Sequence, residues 1–218
     1  MSPEPARRAT VVGAGGLGGP IALALAAGGF DVTVCDPDVV ELSNLHRQIA
    51  FGTADLGHGK AERLVDAIAR HRGRGRAVAA RFDRERARAL TEGASVIVDG
   101  SDDPATKFLV ADTAGALGVP YVIASAVGVG GNVFVGGRGT ACYRCLFEDV
   151  PGEAPSCADA GVLGPLVSWI GGTAARFACR AADRGEAGGF VWIVDDLRRQ
   201  PRTVALARRP GCGCEAWP

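Results

Sequence analysis

The chain has 218 residues, 47% of them hydrophobic, with 32 glycines and a formal net charge of zero. This composition suits one large globular domain and excludes a disordered chain. The neutral balance offers no bulk attraction to nucleic acid or to an acidic membrane. No apolar run reaches the roughly 18 residues of a membrane span. No apolar signal core precedes the first strand either, so a cytoplasmic protein is expected. In a reducing compartment the seven cysteines point to metal binding or catalysis ahead of disulfides. Of the 24 basic residues only Lys60 and Lys107 are lysines, which singles out both.

In chain order, Ala9 to Gly13 is a β-branched run, and Gly16 to Ala27 a helix of small residues. Asp31 to Cys35 is a second strand, and Gly59 to Arg72 an amphipathic helix carrying Leu64, Val65, Ile68 and Ala69. The arginine-rich stretch from Arg70 to Arg88 reads as a solvated helix–loop face. Ser95 to Val98 is a buried strand, Asp103 to Leu117 a helix, and Tyr121 to Ala124 a strand. This rhythm predicts a Rossmann-like α/β fold, a mostly parallel sheet with helices on both faces.

Beyond residue 124 the pattern changes. The run SAVGVGGNVFVGG predicts antiparallel strands turning on glycines, and Glu148 to Ala160 a polar loop. Leu163 to Ala182 is a long apolar helix, and Val191 to Val194 with Thr203 to Ala207 a closing strand pair. No linker splits the chain. One domain over 1–218 is expected, with a nucleotide-binding half at 1–124 and a partner-binding half at 125–218.

Gly13-Ala-Gly15-Gly16-Leu-Gly18 follows the first strand and opens the first helix. Glycines there allow a tight turn and close backbone approach to phosphate, while the helix N-terminus offers amide donors. Asp36 ends the second strand about 20 residues on, where an acid holds a ribose hydroxyl. These features are also those of NAD dehydrogenases and, taken alone, favour NAD over ATP. The run Asp36-Pro-Asp38-Val-Val-Glu41-Leu-Ser-Asn44-Leu-His46-Arg47-Gln48 separates the two. Hydride transfer has no use for such a cluster, whereas a triphosphate needs cations and bidentate donors. Lys60 at the next helix start adds an ammonium, and Asp99-Gly-Ser101-Asp102-Asp103 offers carboxylates for magnesium at a strand's C-terminal end. In isolation Arg47 could be a surface ion pair, Lys60 a helix-start charge and Asp102 a helix N-cap.

Taken together, GAGGLGGP, the D-x-D-x-V-x-x-SNL-x-RQ run, G-x-x-KAE and D-x-S-D-D resemble the ThiF/MoeB/HesA family, bacterial relatives of ubiquitin-activating enzymes. The likeness runs from about residue 9 to 214 and includes Cys142-Tyr-Arg-Cys145 and the stretch from Cys157 to Pro165. It implies that Gly13, Gly15, Gly16 and Gly18 cradle ATP, that Asp36 binds the ribose, and that Asp38 also contacts the nucleotide. Asn44, Arg47, Gln48 and Lys60 would line the phosphates, and Asp102 would bind magnesium. The implied reaction adenylates the C-terminal glycine of a small β-grasp carrier ending in Gly-Gly, for sulfur transfer. Arg47, Lys60 and Asp102 are the catalytic candidates. Cys157 is a further one, since some relatives form a thioester or acyl-disulfide at this place. A homodimer and a separate sulfur-donor protein are also implied.

Cys142 and Cys145, with Cys212 and Cys214 of the tail, could complete a structural tetrahedral zinc site. The C-x-C tail departs from the C-x-x-C of relatives. So do Ala174 and Phe177, where relatives carry Gln and Glu, and Ala111, where Asn is frequent. Arg7 and Arg8 lie too close to the first strand to match the arginine that relatives extend into a neighbouring subunit. The competing readings are the same chemistry on a peptide or a carbamoylated tRNA base, an NAD-dependent oxidoreductase, and a catalytically silent nucleotide binder.

Overall fold

The computed structural model describes residues 7–150, 161–184 and 188–218. Eight strands form one sheet in the order β3-β2-β1-β4-β5-β6-β7-β8. The parallel part comprises β1 (Arg8–Val12), β2 (Asp31–Cys35), β3 (Arg74–Val78), β4 (Val96–Asp99) and β5 (Tyr121–Val127). The antiparallel strands β6 (Gly130–Gly136), β7 (Phe190–Val194) and β8 (Arg202–Ala205) continue it. The expected Rossmann-like class with an antiparallel C-terminal continuation is therefore found.

Helices cover both faces, as a parallel sheet requires. On one face lie α1 (Gly18–Ala27), α2 (Lys60–Arg70) and α6 (Gly164–Arg184), packed through Ile21, Leu25, Leu64, Ile68, Leu166 and Ile170. On the other lie α3 (Ala87–Thr91), α4 (Pro104–Leu117) and the one-turn α5 (Tyr143–Leu146), packed through Leu90, Phe108, Val110 and Tyr143. Helix α1 is apolar nearly all round because it is sandwiched between the sheet and α6. A Cβ on Gly171 would come within 3.0 Å of the Leu17 carbonyl oxygen, so the two helices approach at a glycine. Ala111, Ala174 and Phe177 are buried core residues.

Two expectations need correction. The arginine stretch is not a helix–loop face: it contains β3 at the sheet edge, with Arg74 and Arg76 exposed, and then α3. An edge strand buries little, so its apolar signal is weak, and the arginines deter pairing with another chain. Helix α1 begins at Gly18, not Gly16, because residues 13–17 form the turn that leads into it. Among the described residues no helix is long and apolar enough to cross a membrane.

Candidate nucleotide site and cysteine cluster

Strand order reverses between β1 and β4. Open α/β sheets place ligands outside the carboxyl ends of their strands at such a point. Gly13 leaves β1 with φ of 89° and donates its N–H to the Cys35 carbonyl at 2.8 Å. A Cβ on Gly13 would stand 2.9 Å from the Ser101 nitrogen, and one on Gly18 would stand 2.6 Å from the Gly13 carbonyl carbon. A Cβ on Gly16 would lie 2.9 Å from Val167 and 3.2 Å from the Arg47 carbonyl oxygen. One on Gly15 would meet only the Gln48 Nε2, at 3.5 Å. Three of the four glycines are thus fixed by packing, while Gly15 borders open space.

The second strand end joins this turn. Asp36 is buried; its Oδ2 accepts the Ala14 N–H at 2.6 Å and its Oδ1 the Asp38 N–H at 2.8 Å. Burial raises the Asp36 carboxyl above its ordinary range, while these two amides and the nearby Lys60 pull the other way. Lys60 opens α2 almost wholly buried, and its Nζ reaches the exposed Asp38 Oδ2 at 3.0 Å. Arg47 Nη2 donates to Asn44 Oδ1 at 2.5 Å, and Asn44 Nδ2 to Glu41 Oε2 at 3.2 Å. Among the described residues Arg47 meets no carboxylate. Gln48 is buried, and its Oε1 has no hydrogen-bond partner among them.

At the end of β4 the acids divide their tasks. Asp103 is the N-cap of α4, accepting from Ala105 N at 3.3 Å, Thr106 N at 3.0 Å and Thr106 Oγ1 at 2.6 Å. The capping alternative considered for Asp102 therefore belongs to its neighbour. Asp102 is exposed, and among the described residues its carboxylate is uncommitted. The glycine turn meets Asp36 through Ala14, Gln48 through Gly15, Arg47 through Gly16 and Ser101, the residue before Asp102, through Gly13, while Lys60 reaches Asp38; these residues border the crevice expected at the switch point. Cys157 lies outside the described residues.

Lys107, singled out by composition without a role, lies beneath this crevice. Its Nζ donates to Asp99 Oδ2 at 2.7 Å, the Ser101 carbonyl at 2.7 Å and the Ala124 carbonyl at 2.9 Å. Asp99 is fully buried, and burial raises its carboxyl against the opposing pull of Lys107 and Ser101.

The cysteines form a second centre. The Sγ atoms of Cys142, Cys145, Cys212 and Cys214 all lie within 4.8 Å of one another, a group that could hold a metal ion. Cys142 is 3.7 Å from Cys145 and 3.6 Å from Cys212, and Cys145 is 3.7 Å from Cys214. A regular tetrahedron with metal–sulfur bonds of about 2.3 Å has edges of about 3.8 Å, so the spacing fits. Burial would raise the Cys145 thiol, but hydrogen bonds from the Arg209 and Cys142 backbones and from neighbouring thiols bring it down to about 7. Cys35 and Cys179, in contrast, have burial-raised thiols. Trp217 closes the clasp over α4, where a Cβ on Gly115 would lie 2.5 Å from the indole Cδ2.

Sheet order and crevice define a Rossmann-like α/β protein with a glycine turn at its switch point. The chain belongs to the ThiF family, which matches it over residues 6–215. It is 35% identical over 228 residues to the adenylyltransferase and sulfurtransferase uba4 of Emericella nidulans, covering 94% of this chain and 47% of that protein. It is 37% identical over 215 residues to the SAMP-activating enzyme E1 of Haloferax volcanii, covering 94% and 78% respectively. It is 36% identical over 216 residues to the sulfur carrier protein adenylyltransferase of Thermus thermophilus, covering 93% and 79%. The chain spans about half or less of the uba4 relatives. In fold it resembles the crystal structure of E. coli MccB with ATP, at a TM-score of 0.79 and 18% identity over 95% of this chain and 66% of that one.

Proposed function

We propose that the chain uses ATP to adenylate the C-terminal glycine carboxylate of a small ubiquitin-like, β-grasp sulfur-carrier protein ending in Gly-Gly. The observation that carries this reading is the meeting at one switch point of three features. They are a glycine turn with one open position and, among the described residues, a guanidinium without a carboxylate partner at Arg47 and an uncommitted carboxylate at Asp102. The names of relatives such as the SAMP-activating enzyme E1 and the sulfur carrier protein adenylyltransferase support the substrate class.

In this reading Gly13, Gly15, Gly16 and Gly18 let the backbone approach the nucleotide phosphates, and Asp36 and Asp38 stand on the ribose side. The buried, unsatisfied Gln48 Oε1 fits a group waiting for a ligand or water donor. Arg47, held by Asn44, and Lys60, held by Asp38, supply positive charge to the phosphates. Asp102 fits a magnesium ligand: it is an exposed oxygen donor with no internal bond to the described residues. Magnesium would supply neutralisation of the departing pyrophosphate.

A carrier carboxylate is already ionised at neutral pH and needs no general base. Its oxygen bonds to the α-phosphorus as the bond to pyrophosphate breaks, giving an acyl-adenylate. Catalysis is then positioning plus charge neutralisation. A homodimer, a separate sulfur donor, cytoplasmic residence, no nucleic-acid or membrane partner, and structural zinc on the four cysteines complete the proposal. We read residues 1–218 as one adenylation unit with halves 1–124 and 125–218, and Cys157 as a candidate acceptor of the activated acyl group.

The test is ATP–pyrophosphate exchange with a panel of β-grasp proteins ending in Gly-Gly. Exchange with one carrier, lost in Lys60→Ala and Arg47→Ala, is expected. A wild-type protein that binds ATP but exchanges with no carrier defeats the reading.

A further inference from the structure

A lysine ammonium has three N–H donors and no acceptor. In Lys107 all three are spent, on the Asp99 carboxylate and on the carbonyls of Ser101 and Ala124. The side chain is buried against the Asp99 carboxylate, and with its three donors engaged it has none free to offer a substrate.

What it holds is specific. Asp99 is the last residue of β4, Ala124 lies in β5, and Ser101 immediately precedes Asp102. Ser101 is gripped from three sides: its Oγ donates to Asp99 Oδ1 at 2.7 Å, its N–H to the same oxygen at 3.3 Å, and its carbonyl accepts from Lys107. The gripped segment also forms the floor of the glycine turn. A Cβ on Gly100 would stand 2.7 Å from the Gly18 nitrogen, and Gly100 N donates to the Val12 carbonyl at 2.8 Å. A shift of Ser101 therefore moves both the residue carrying the Asp102 carboxylate and the surface against which residues 13–18 rest.

We infer that Lys107 is a positioning residue: tying Asp99, Ser101 and Ala124 together, it fixes Asp102 and the glycine turn at the geometry that holds a magnesium–nucleotide complex. This inference rests on the proposed function for the identity of the ligand. A flexible, compact ammonium suits three acceptors arranged around a point, where the planar guanidinium fork of arginine does not.

The competing explanation is that Lys107 only neutralises the buried Asp99. The double variant Asp99→Asn/Lys107→Met removes both charges, so no lone buried ion remains to unfold the chain. The experiment measures ATP affinity by calorimetry with and without magnesium, alongside a thermal melt, for wild type, the double variant and Asp102→Asn. In the double variant the magnesium-dependent gain in affinity is expected to fall about tenfold or more, toward that of Asp102→Asn, because Ser101 loses the ties that hold Asp102 in place for the ion. A double variant that folds and keeps the wild-type gain overturns the proposal. If it does not fold, Ser101→Ala, which removes one strut and leaves the ion pair, decides. A several-fold loss of the gain supports the proposal, and an unchanged gain overturns it. A wild type that binds magnesium–ATP yet exchanges with no carrier defeats the proposed function and leaves this comparison intact.

Discussion

The glycine turn makes opposite demands at two of its positions, and alanine substitutions separate them. A methyl on Gly18 would stand 2.6 Å from the Gly13 carbonyl carbon, with the Gly13 oxygen nearer still. Backbone cannot rotate away as a side chain can, so the turn or α1 must shift. Overpacking of this kind costs about 1–3 kcal/mol. With a urea m-value of about 2 kcal/mol/M, a loss near 2 kcal/mol lowers the unfolding midpoint by about 1 M. A methyl on Gly15 would touch only Gln48 Nε2, at 3.5 Å, an ordinary contact, and Gly15 has no left-handed φ to lose. Gly15→Ala is therefore expected to leave the midpoint unchanged, or to raise it by the roughly 0.4–1 kcal/mol gained from a stiffer unfolded chain. Its methyl nevertheless stands where a phosphate would approach the backbone, so ATP affinity is expected to fall at least tenfold. Urea unfolding and calorimetric ATP titration of both variants form the assay. Wild-type ATP affinity in Gly15→Ala would refute the placement of the phosphates at this turn. A wild-type midpoint in Gly18→Ala would refute the packing account.

Three further outcomes are expected. Lys60→Ala and Arg47→Ala each reduce ATP–pyrophosphate exchange by about a thousandfold or more, in line with cations at phosphoryl-transfer sites, while far-UV circular dichroism stays unchanged; exchange near the wild-type rate would count against their roles. Cys214→Ser, or prolonged chelation, takes bound metal from one equivalent toward none and lowers the melting temperature. Metal content well under one equivalent in the native protein would instead make the clasp a cluster of packed thiols. Because burial raises the Asp36 carboxyl, the folded chain holds that proton more tightly than the unfolded chain. Its stabilising effect is present at low pH and lost as pH rises through the folded-state pKa. ATP affinity runs the other way: it declines with acidification from above the ordinary carboxyl value of about 3.9, since a protonated Asp36 releases an amide of the glycine turn. A pH profile that Asp36→Asn leaves unaltered would contradict this.

The sequence made the parallel core legible because β1, β2 and β4 are short β-branched runs and the glycine turn has a fixed place between a strand and a helix. The cysteine grouping was legible as residue types, and the 3.6–3.7 Å spacing of its sulfurs supplies the geometry. Strand β3 was not legible, because an edge strand with one neighbour needs little apolar surface and its arginines read as solvated charge. The split of duties between Asp102 and Asp103 was equally hidden, since either could cap α4 and only the backbone of the preceding residues decides. Lys107 was visible as a compositional exception without a purpose; its three acceptors come from two strands and a loop, a convergence no local pattern encodes.

That exception extends to the whole chain. Of eight buried polar or charged side chains among the described residues, six belong to the crevice and its support: Asp36, Gln48, Lys60, Asp99, Thr106 and Lys107. No arginine whose side chain is described is buried, although arginine supplies all but two of the basic side chains. Arginine serves the outside, including the sheet edges, with Arg74 and Arg76 on β3 and Arg202 on β8, where charge deters pairing with another chain. Lysine occurs only where an ammonium must be taken out of water beside a carboxylate. Burying an ion is costly and persists where its partners are closely matched. In a chain with this bias, the two lysines therefore mark the places where charge has been placed inside for a purpose, one lining the crevice and one beneath it.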